Sequence, residues 1–234
     1  MVMGSQEEND TSRALDKVNA IILFIDLVDS SKYKIQYKDD PTKWIGGMKS
    51  FAQYFTDVIK TYGGITVKYI GDEVMAAFII DDKEKEKIVI GQVVGFLASL
   101  TRYEQQLTEI FGEQKRIKIA VDFGEVYQVE YQSSISEADQ DTILDFLGTP
   151  VDRCARIAKF ATPSTILASV YFTEISDSLT WINLGVPELK GIGYEPVFQY
   201  MPQDNADIVI LGFQKLVDED GEEITINQFF KKTI

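Results

Sequence analysis

The chain has 234 residues, enough for one large domain with a real core, and 45% of them are hydrophobic. Its 23 basic against 37 acidic residues give a formal charge of -14, which argues against a nucleic-acid binder and against docking on an anionic membrane. With no histidine and Cys154 as the one cysteine, imidazole catalysis, histidine metal sites and an intrachain disulfide are excluded.

The lone cysteine suits a reducing compartment, and no apolar run has the length of a membrane helix, so a soluble cytoplasmic protein is expected. Residues 1–18 are charged and aperiodic and read as a mobile leader. Residues 19–27 carry the apolar run Ile21-Ile22-Leu23-Phe24-Ile25 ending in Asp26, the pattern of a strand buried on both faces. A polar connection follows over 28–40, and Pro41 can open a helix. Apolar residues from Trp44 to Ile59 keep helical spacing, and Gly63-Gly64 ends the helix. Two β-rich runs, Ile65–Ile70 and 74–80, flank Gly71-Asp72-Glu73 and predict a hairpin with Asp72 at its tip. An aspartate there commonly serves only the turn, but a rigid tip is also a good mount for a metal ligand. A second helix is expected from 81 to 111, stopped by Gly112, then strands over 116–123 and 124–131 and a polar loop over 132–141. A helix over 149–160 and short strands over 164–169, 181–184 and 197–200 complete a domain spanning 19–202. Residues 203–234 form a C-terminal extension with a turn over 218–223 that lacks the carboxylate ladder of a calcium loop.

Strand, helix, strand, strand, helix, strand is the ferredoxin-like βαββαβ order, so the fold class is α+β with C-terminal additions. In that order the first strand and the hairpin lie side by side. Asp26 and Asp72 then converge at one end of the sheet, close enough to share divalent cations. Two metals between carboxylates and a triphosphate are the usual device for in-line displacement at phosphorus. Hard oxygen ligands without thiolate or imidazole suit Mg2+ or Mn2+. The small residues Ser30 and Ser31 follow Asp26, where backbone N–H groups can cradle phosphates.

Four blocks in this order resemble the catalytic domain of class III nucleotidyl cyclases, the adenylate and guanylate cyclase family. They are Phe24-Ile25-Asp26-Leu27-Val28-Asp29-Ser30-Ser31, Val67-Lys68-Tyr69-Ile70-Gly71-Asp72, the run from Leu144 to Arg156, and Glu188-Leu189-Lys190-Gly191. The resemblance implies a head-to-tail homodimer with its sites at the interface. It implies two cations on Asp26, Asp72 and the Leu27 carbonyl of one subunit. The other would bring Lys68 and Asp145 to the base, Asp152 to the ribose and Arg156 to the phosphoryl group. The implied reaction is attack of the ribose 3′-hydroxyl on the α-phosphorus with loss of pyrophosphate.

Three positions depart from the family pattern. Asp152 replaces an asparagine and, ionised, can accept but not donate. Asp29 replaces a common glycine, and Ile192 stands where some members carry a phosphate-binding lysine. Lys68 with Asp145 resembles the pair that selects adenine. The small architecture, Asp152, and Tyr69 as a wall of the base pocket resemble instead the bacterial pyrimidine cyclases of Pycsar anti-phage systems. UTP is therefore expected ahead of CTP, with ATP as the alternative, and a separate cyclic-nucleotide-responsive effector as partner. A diguanylate-cyclase-like palm would share the core, but its doubled-glycine hairpin is absent. A non-catalytic nucleotide-binding domain would bind triphosphate without turnover and lose nothing on Asp72 substitution.

Overall fold

The computed structural model describes residues 16–132, 142–202, 216–217 and 223–224. Its central strand, β1 (Asp16–Leu27), shows why an unbroken apolar run was needed. Ile21, Leu23, Ile25 and Leu27 enter one core cluster while Ala20, Ile22 and Phe24 enter another, so successive side chains serve opposite faces of the sheet. The same division holds on β3 (Glu73–Ile80), with Val74, Ala76 and Phe78 on the first face and Met75 and Ala77 on the second.

The hairpin partner of β3 is β2 (Ile65–Ile70), and β4 runs from Ile117 to Gln132. The first four strands stand in the order β2-β3-β1-β4, and both neighbours of β1 run antiparallel to it. This is the ferredoxin-like arrangement read from the sequence. The sheet continues through β6 (Ile166–Ser169), β10 (Val197–Met201) and β7 (Thr180–Gly185), while β5 (Thr142–Leu147) pairs with the far half of β4. Among the described residues eight strands share this sheet; β8 (Glu188–Leu189) pairs with β9 (Gly193–Tyr194) apart from it.

Helix α1 (Ser30–Gln36) occupies the stretch expected to be a polar connection. Helix α2 (Pro41–Thr61) starts on Asp40, whose carboxylate accepts the Lys43 N–H at 3.4 Å. Its Phe51, Phe55 and Ile59 are buried against the first face, each such side chain contributing about 1.5–3 kcal/mol. The long helix expected over 81–111 is two, α3 (Glu86–Ala98) and α4 (Leu100–Phe111). They part at Ser99, whose hydroxyl bonds the Gly95 carbonyl at 3.0 Å and the Tyr62 hydroxyl at 3.1 Å.

The second face is covered by α5 (Thr149–Ile157), whereas Phe172 of the short α6 (Val170–Ile175) joins the first-face cluster. Two strands were expected over 116–131, divided at Gly124, and one continuous β4 is found. Gly124 is a packing site rather than a break: a Cβ there would stand 2.7 Å from Pro150 Cγ. Residues 16–18, expected in the leader, extend β1 against 126–128 of β4. Residues 1–15 lie outside the described residues, and of the loop expected over 132–141, Gln132 ends β4 while 133–141 also lie outside them. In the extension, β11 (Leu216–Val217) pairs antiparallel with β12 (Glu223–Ile224), and the turn between them also lies outside the described residues. Among the described residues no helix is long and apolar enough to cross a membrane.

Candidate active site

The end of β1 gathers charge from three strands. In register, Asp26 faces Glu73 on β3 and Lys118 on β4. The hairpin tip is tied alongside: the Leu27 N–H donates to the Asp72 carbonyl at 3.2 Å, and Gly71 turns the chain at φ 69°. Beyond Leu27 the backbone swings into α1 through Asp29, whose φ of 58° lies in the left-handed region. That conformation accounts for a glycine being common there in the resembled family, and aspartate tolerates it better than most side chains.

Helix α1 holds Asp72 by two side chains one turn apart. The buried Ser30 hydroxyl donates to one carboxylate oxygen, and Lys34 Nζ lies 3.4 Å from the other. Asp26 is held separately by Lys118 at 2.8 Å. Asp26, Asp72, Ser30 and Lys118, together with Leu27, Ser31 and Lys32, open onto a cleft of about 500 Å³ that 161–163 also line. Burial, above all, holds the Asp26 carboxyl above its ordinary range; Asp72 pushes the same way and Lys118 opposes both. Glu73 is pushed up to about 7, by burial first and then by Asp26, Asp72 adding a smaller push. Carboxyls pushed up by burial and by a neighbouring acid are short of positive charge, which is what divalent cations would supply. Among the described residues no three acidic, histidine or cysteine side chains form a closed metal cage. The two carboxylates instead present hard oxygens at an open cleft, the donor type that a divalent cation accepts.

Lys68 and Asp145 also meet. The β4–β5 arm folds over β2 so that Val67, Leu144 and Phe146 share the second core, and Lys68 Nζ lies 2.8 and 2.7 Å from the two Asp145 oxygens. Asp145 accepts the Phe146 N–H as well, at 2.8 Å. Tyr69 is not part of this group. As the next residue on β2 it turns to the other side, where its hydroxyl bonds Thr56 and reaches the Ala52 carbonyl of α2. The base-pocket wall expected from Tyr69 is therefore not formed with Lys68 and Asp145.

Helix α5 presents Asp152 to solvent in its first turn, and Arg156 Nε donates to the Lys190 carbonyl at 3.2 Å. Lys190 precedes Gly191, whose φ of 83° shapes the turn between β8 and β9. Neither Asp152 nor Arg156 lines the Asp26–Asp72 cleft, and neither do Lys68 and Asp145.

The profile of the adenylate and guanylate cyclase catalytic domain matches residues 13–195. The chain belongs to this family. No curated protein sequence matches it. Among solved structures this cyclase domain is similar to the adenylyl cyclase CyaB from P. aeruginosa, at 14% identity and a TM-score of 0.69, covering 82% of this chain and 98% of that one. It is similar to the guanylyl cyclase Cya2 at 19% identity and a TM-score of 0.66, over 84% and 98% of the two chains. The guanylate cyclase domain of RhGC from Catenaria anguillulae, in complex with GTP, matches at 13% identity and a TM-score of 0.64, over 80% and 98%. At these identities the likeness is one of fold.

Sequence reasoning missed three charged residues around the paired aspartates: Lys118, which lines the cleft, Lys34, which pairs with Asp72, and Glu73, which faces Asp26 in register. Lys118 alternates with Ile117 and Ile119 on β4, so its exposure on one side was legible, but its place opposite Asp26 depends on strand register. Lys34 follows Ser30 by one helical turn, a relation hidden while 28–40 reads as a loop. A fourth feature lies behind the site. Asp122 on β4 is wholly buried and paired with Arg153 of α5, with Nε–Oδ2 at 2.6 Å and Nη2–Oδ1 at 3.1 Å.

Proposed function

We propose that this cyclase domain converts a nucleoside triphosphate to its 3′,5′-cyclic monophosphate and pyrophosphate at the interface of a head-to-tail homodimer. The observation that carries the reading is the convergence of Asp26 and Asp72 at the end of β1, each already held by a displaceable cation. Asp26, Asp72 and the Leu27 carbonyl would hold two divalent cations, Mg2+ or Mn2+. When bound, these supply polarisation of the ribose 3′-hydroxyl and neutralisation of the triphosphate.

The chain's own residues do the rest. Lys118 and Lys32 at the cleft, with Lys34 beside Asp72, give positive charge to the β- and γ-phosphates once their acids are otherwise engaged. Ser30 keeps Asp72 oriented, and Ser31 lies at the cleft for the phosphates. Across the interface, the partner subunit's Arg156 meets the charge growing on the α-phosphate, and the partner subunit's Asp152 accepts from a ribose hydroxyl. The 3′-oxygen bonds to the α-phosphorus as the bond to the pyrophosphate oxygen breaks, and the hydroxyl proton passes to solvent. Because Arg156 and Asp152 stand outside the Asp26–Asp72 cleft of their own chain, the reading requires two subunits.

For the base, UTP is proposed ahead of CTP, with the cyclic pyrimidine product read by a separate effector in anti-phage signalling. Support comes from the resemblance to that branch and from the acid at Asp152. A second reading, ATP to cyclic AMP, is favoured by the formed Lys68–Asp145 pair. An ammonium beside a carboxylate complements an acceptor beside a donor, which the Watson–Crick edges of both adenine and uracil present. The test is incubation with Mn2+ and ATP, GTP, CTP or UTP singly, with products identified by mass. Cyclic UMP is expected in greatest yield; cyclic AMP as the main product selects the second reading, and no cyclic product overturns both.

A further inference from the structure

Helix α5 carries the two residues assigned above to ribose and phosphate, and what fixes that helix is a buried ion pair. Asp122 sits on the second face of β4, between Ala120 and Val126 of the apolar core, with no exposed surface. Its four donors saturate it: the two Arg153 nitrogens, the Phe123 N–H at 2.7 Å and the Ser169 hydroxyl. Arg153 is buried too, and its guanidinium carbon lies 3.9 Å over the Tyr171 ring. One pair thus joins β4, α5, the end of β6 and the start of α6.

We propose that Asp122 and Arg153 are positioning residues that set the rotation of α5 and thereby the presentation of Asp152 and Arg156; this rests on the cyclase reading above. Two other contacts hold the helix against the sheet. Pro150 packs on Gly124, and the Cys154 thiol donates to the Ile22 carbonyl at 3.4 Å. The planar two-nitrogen fork of Arg153 on an immobile carboxylate fixes an angle, which apolar packing does not. Arg153 and Arg156 are three residues apart and project from neighbouring directions on the helix. On a helix with side chains about 10–12 Å across, a turn of about 10° moves a side-chain tip by about 1 Å. A misplacement of that size costs about a hundredfold in rate when it falls on a reacting group. Stability alone is a poor reason for the pair, since apolar residues of like volume commonly replace buried ion pairs without loss.

The test uses the full chain and the double variant Asp122→Leu/Arg153→Met, with Arg153→Lys as the milder change that keeps the charge but loses the fork. We expect the double variant to melt where wild type does, to keep KM within about twofold and to lose about tenfold to a hundredfold in kcat. A second readout needs no substrate: the Arg156 Nε–H signal by NMR, assigned by its loss in Arg156→Lys. It moves in the double variant as the bond to Lys190 is disturbed. A folded double variant with wild-type kcat and an unmoved Arg156 signal overturns the proposal. If the double variant does not fold, Arg153→Lys decides: lowered kcat at unchanged KM supports it, and unchanged kcat overturns it. A wild type that makes no cyclic nucleotide breaks the cyclase reading, while the Arg156 signal still reads the positioning by itself.

Discussion

Asp26 and Asp122 stand on adjacent strands, each bonded to a cation, in opposite settings. Asp26 ends β1 at the mouth of a polar cleft, and it and Lys118 are 22% and 25% exposed. Asp122 lies within β4 on the second face of the sheet, and it and Arg153 are 0% and 7% exposed. Burial raises both carboxyls, Asp122 to about 6, against the pull of their partners. The partners differ in kind. Lysine is a hydrated point charge on a flexible stem and can yield its place to another cation; the arginine fork, stacked on Tyr171 and enclosed, cannot. In the proposed site, the acid assigned to ligand exchange is kept at the margin with a removable counter-ion, and the acid assigned to hold an angle is kept in the core with every bond made.

Substitutions at the two places should therefore fail in different ways. The largest effect is expected from Asp72→Ala, which should lower turnover roughly 10³- to 10⁴-fold, about 4–5.5 kcal/mol of barrier, with the melting temperature nearly unchanged. Ordinary turnover in that variant would remove the metal role from the hairpin. Next comes Asp122→Asn, which strands the Arg153 charge in the core and should cost about 3 kcal/mol or more in denaturant titrations. A loss below about 1 kcal/mol would make this pair no more rigid than one at the surface. Smaller again is Lys118→Met. Without its counter-ion Asp26 should destabilise the metal-free protein by about 1 kcal/mol, and added Mn2+ should raise the melting temperature more than in wild type. An equal Mn2+ response in both proteins would show that Lys118 does not compete for the site.

The smallest effect is a pH slope from Glu73. Its folded carboxyl titrates at about 7 against an ordinary 4.5, so the metal-free folded protein holds an extra proton between those values. Stability contributed by that proton is present below about 4.5 and is lost as pH rises through about 7. Because Glu73 is only partly buried, the screened contribution is about 1 kcal/mol or less. Melting the metal-free protein from pH 5 to 8 should show the decline, and Glu73→Gln should flatten it. An identical slope in the variant would assign the titration elsewhere.

The legible parts of this molecule were those written in local pattern. The run from Ile21 to Ile25 announced a doubly buried strand, and Gly71-Asp72 between two β runs announced the hairpin that faces it. Strand order then placed Asp26 beside Asp72. What stayed hidden depended on register and on distant packing. Lys118 meets Asp26 only because β4 pairs with β1 at that offset. Tyr69 turned away from Lys68 because neighbouring strand residues face opposite sides, and nothing local says which side holds the base. Asp122 and Arg153 each look misplaced in an apolar setting when read alone. Their separation by 31 positions concealed that each answers the other.

The proposed site is completed by two subunits, with metal aspartates from one and α5 from the other. Asp72→Ala and Arg156→Ala proteins, each inactive alone, should be mixed, allowed to exchange subunits and assayed with Mn2+ and the preferred triphosphate. Random exchange makes half the dimers mixed, and each mixed dimer has one intact site, so about a quarter of wild-type activity should return. Mixtures as inactive as their parents, with exchange shown by mass, would contradict the shared site and place both residues in one chain's cleft.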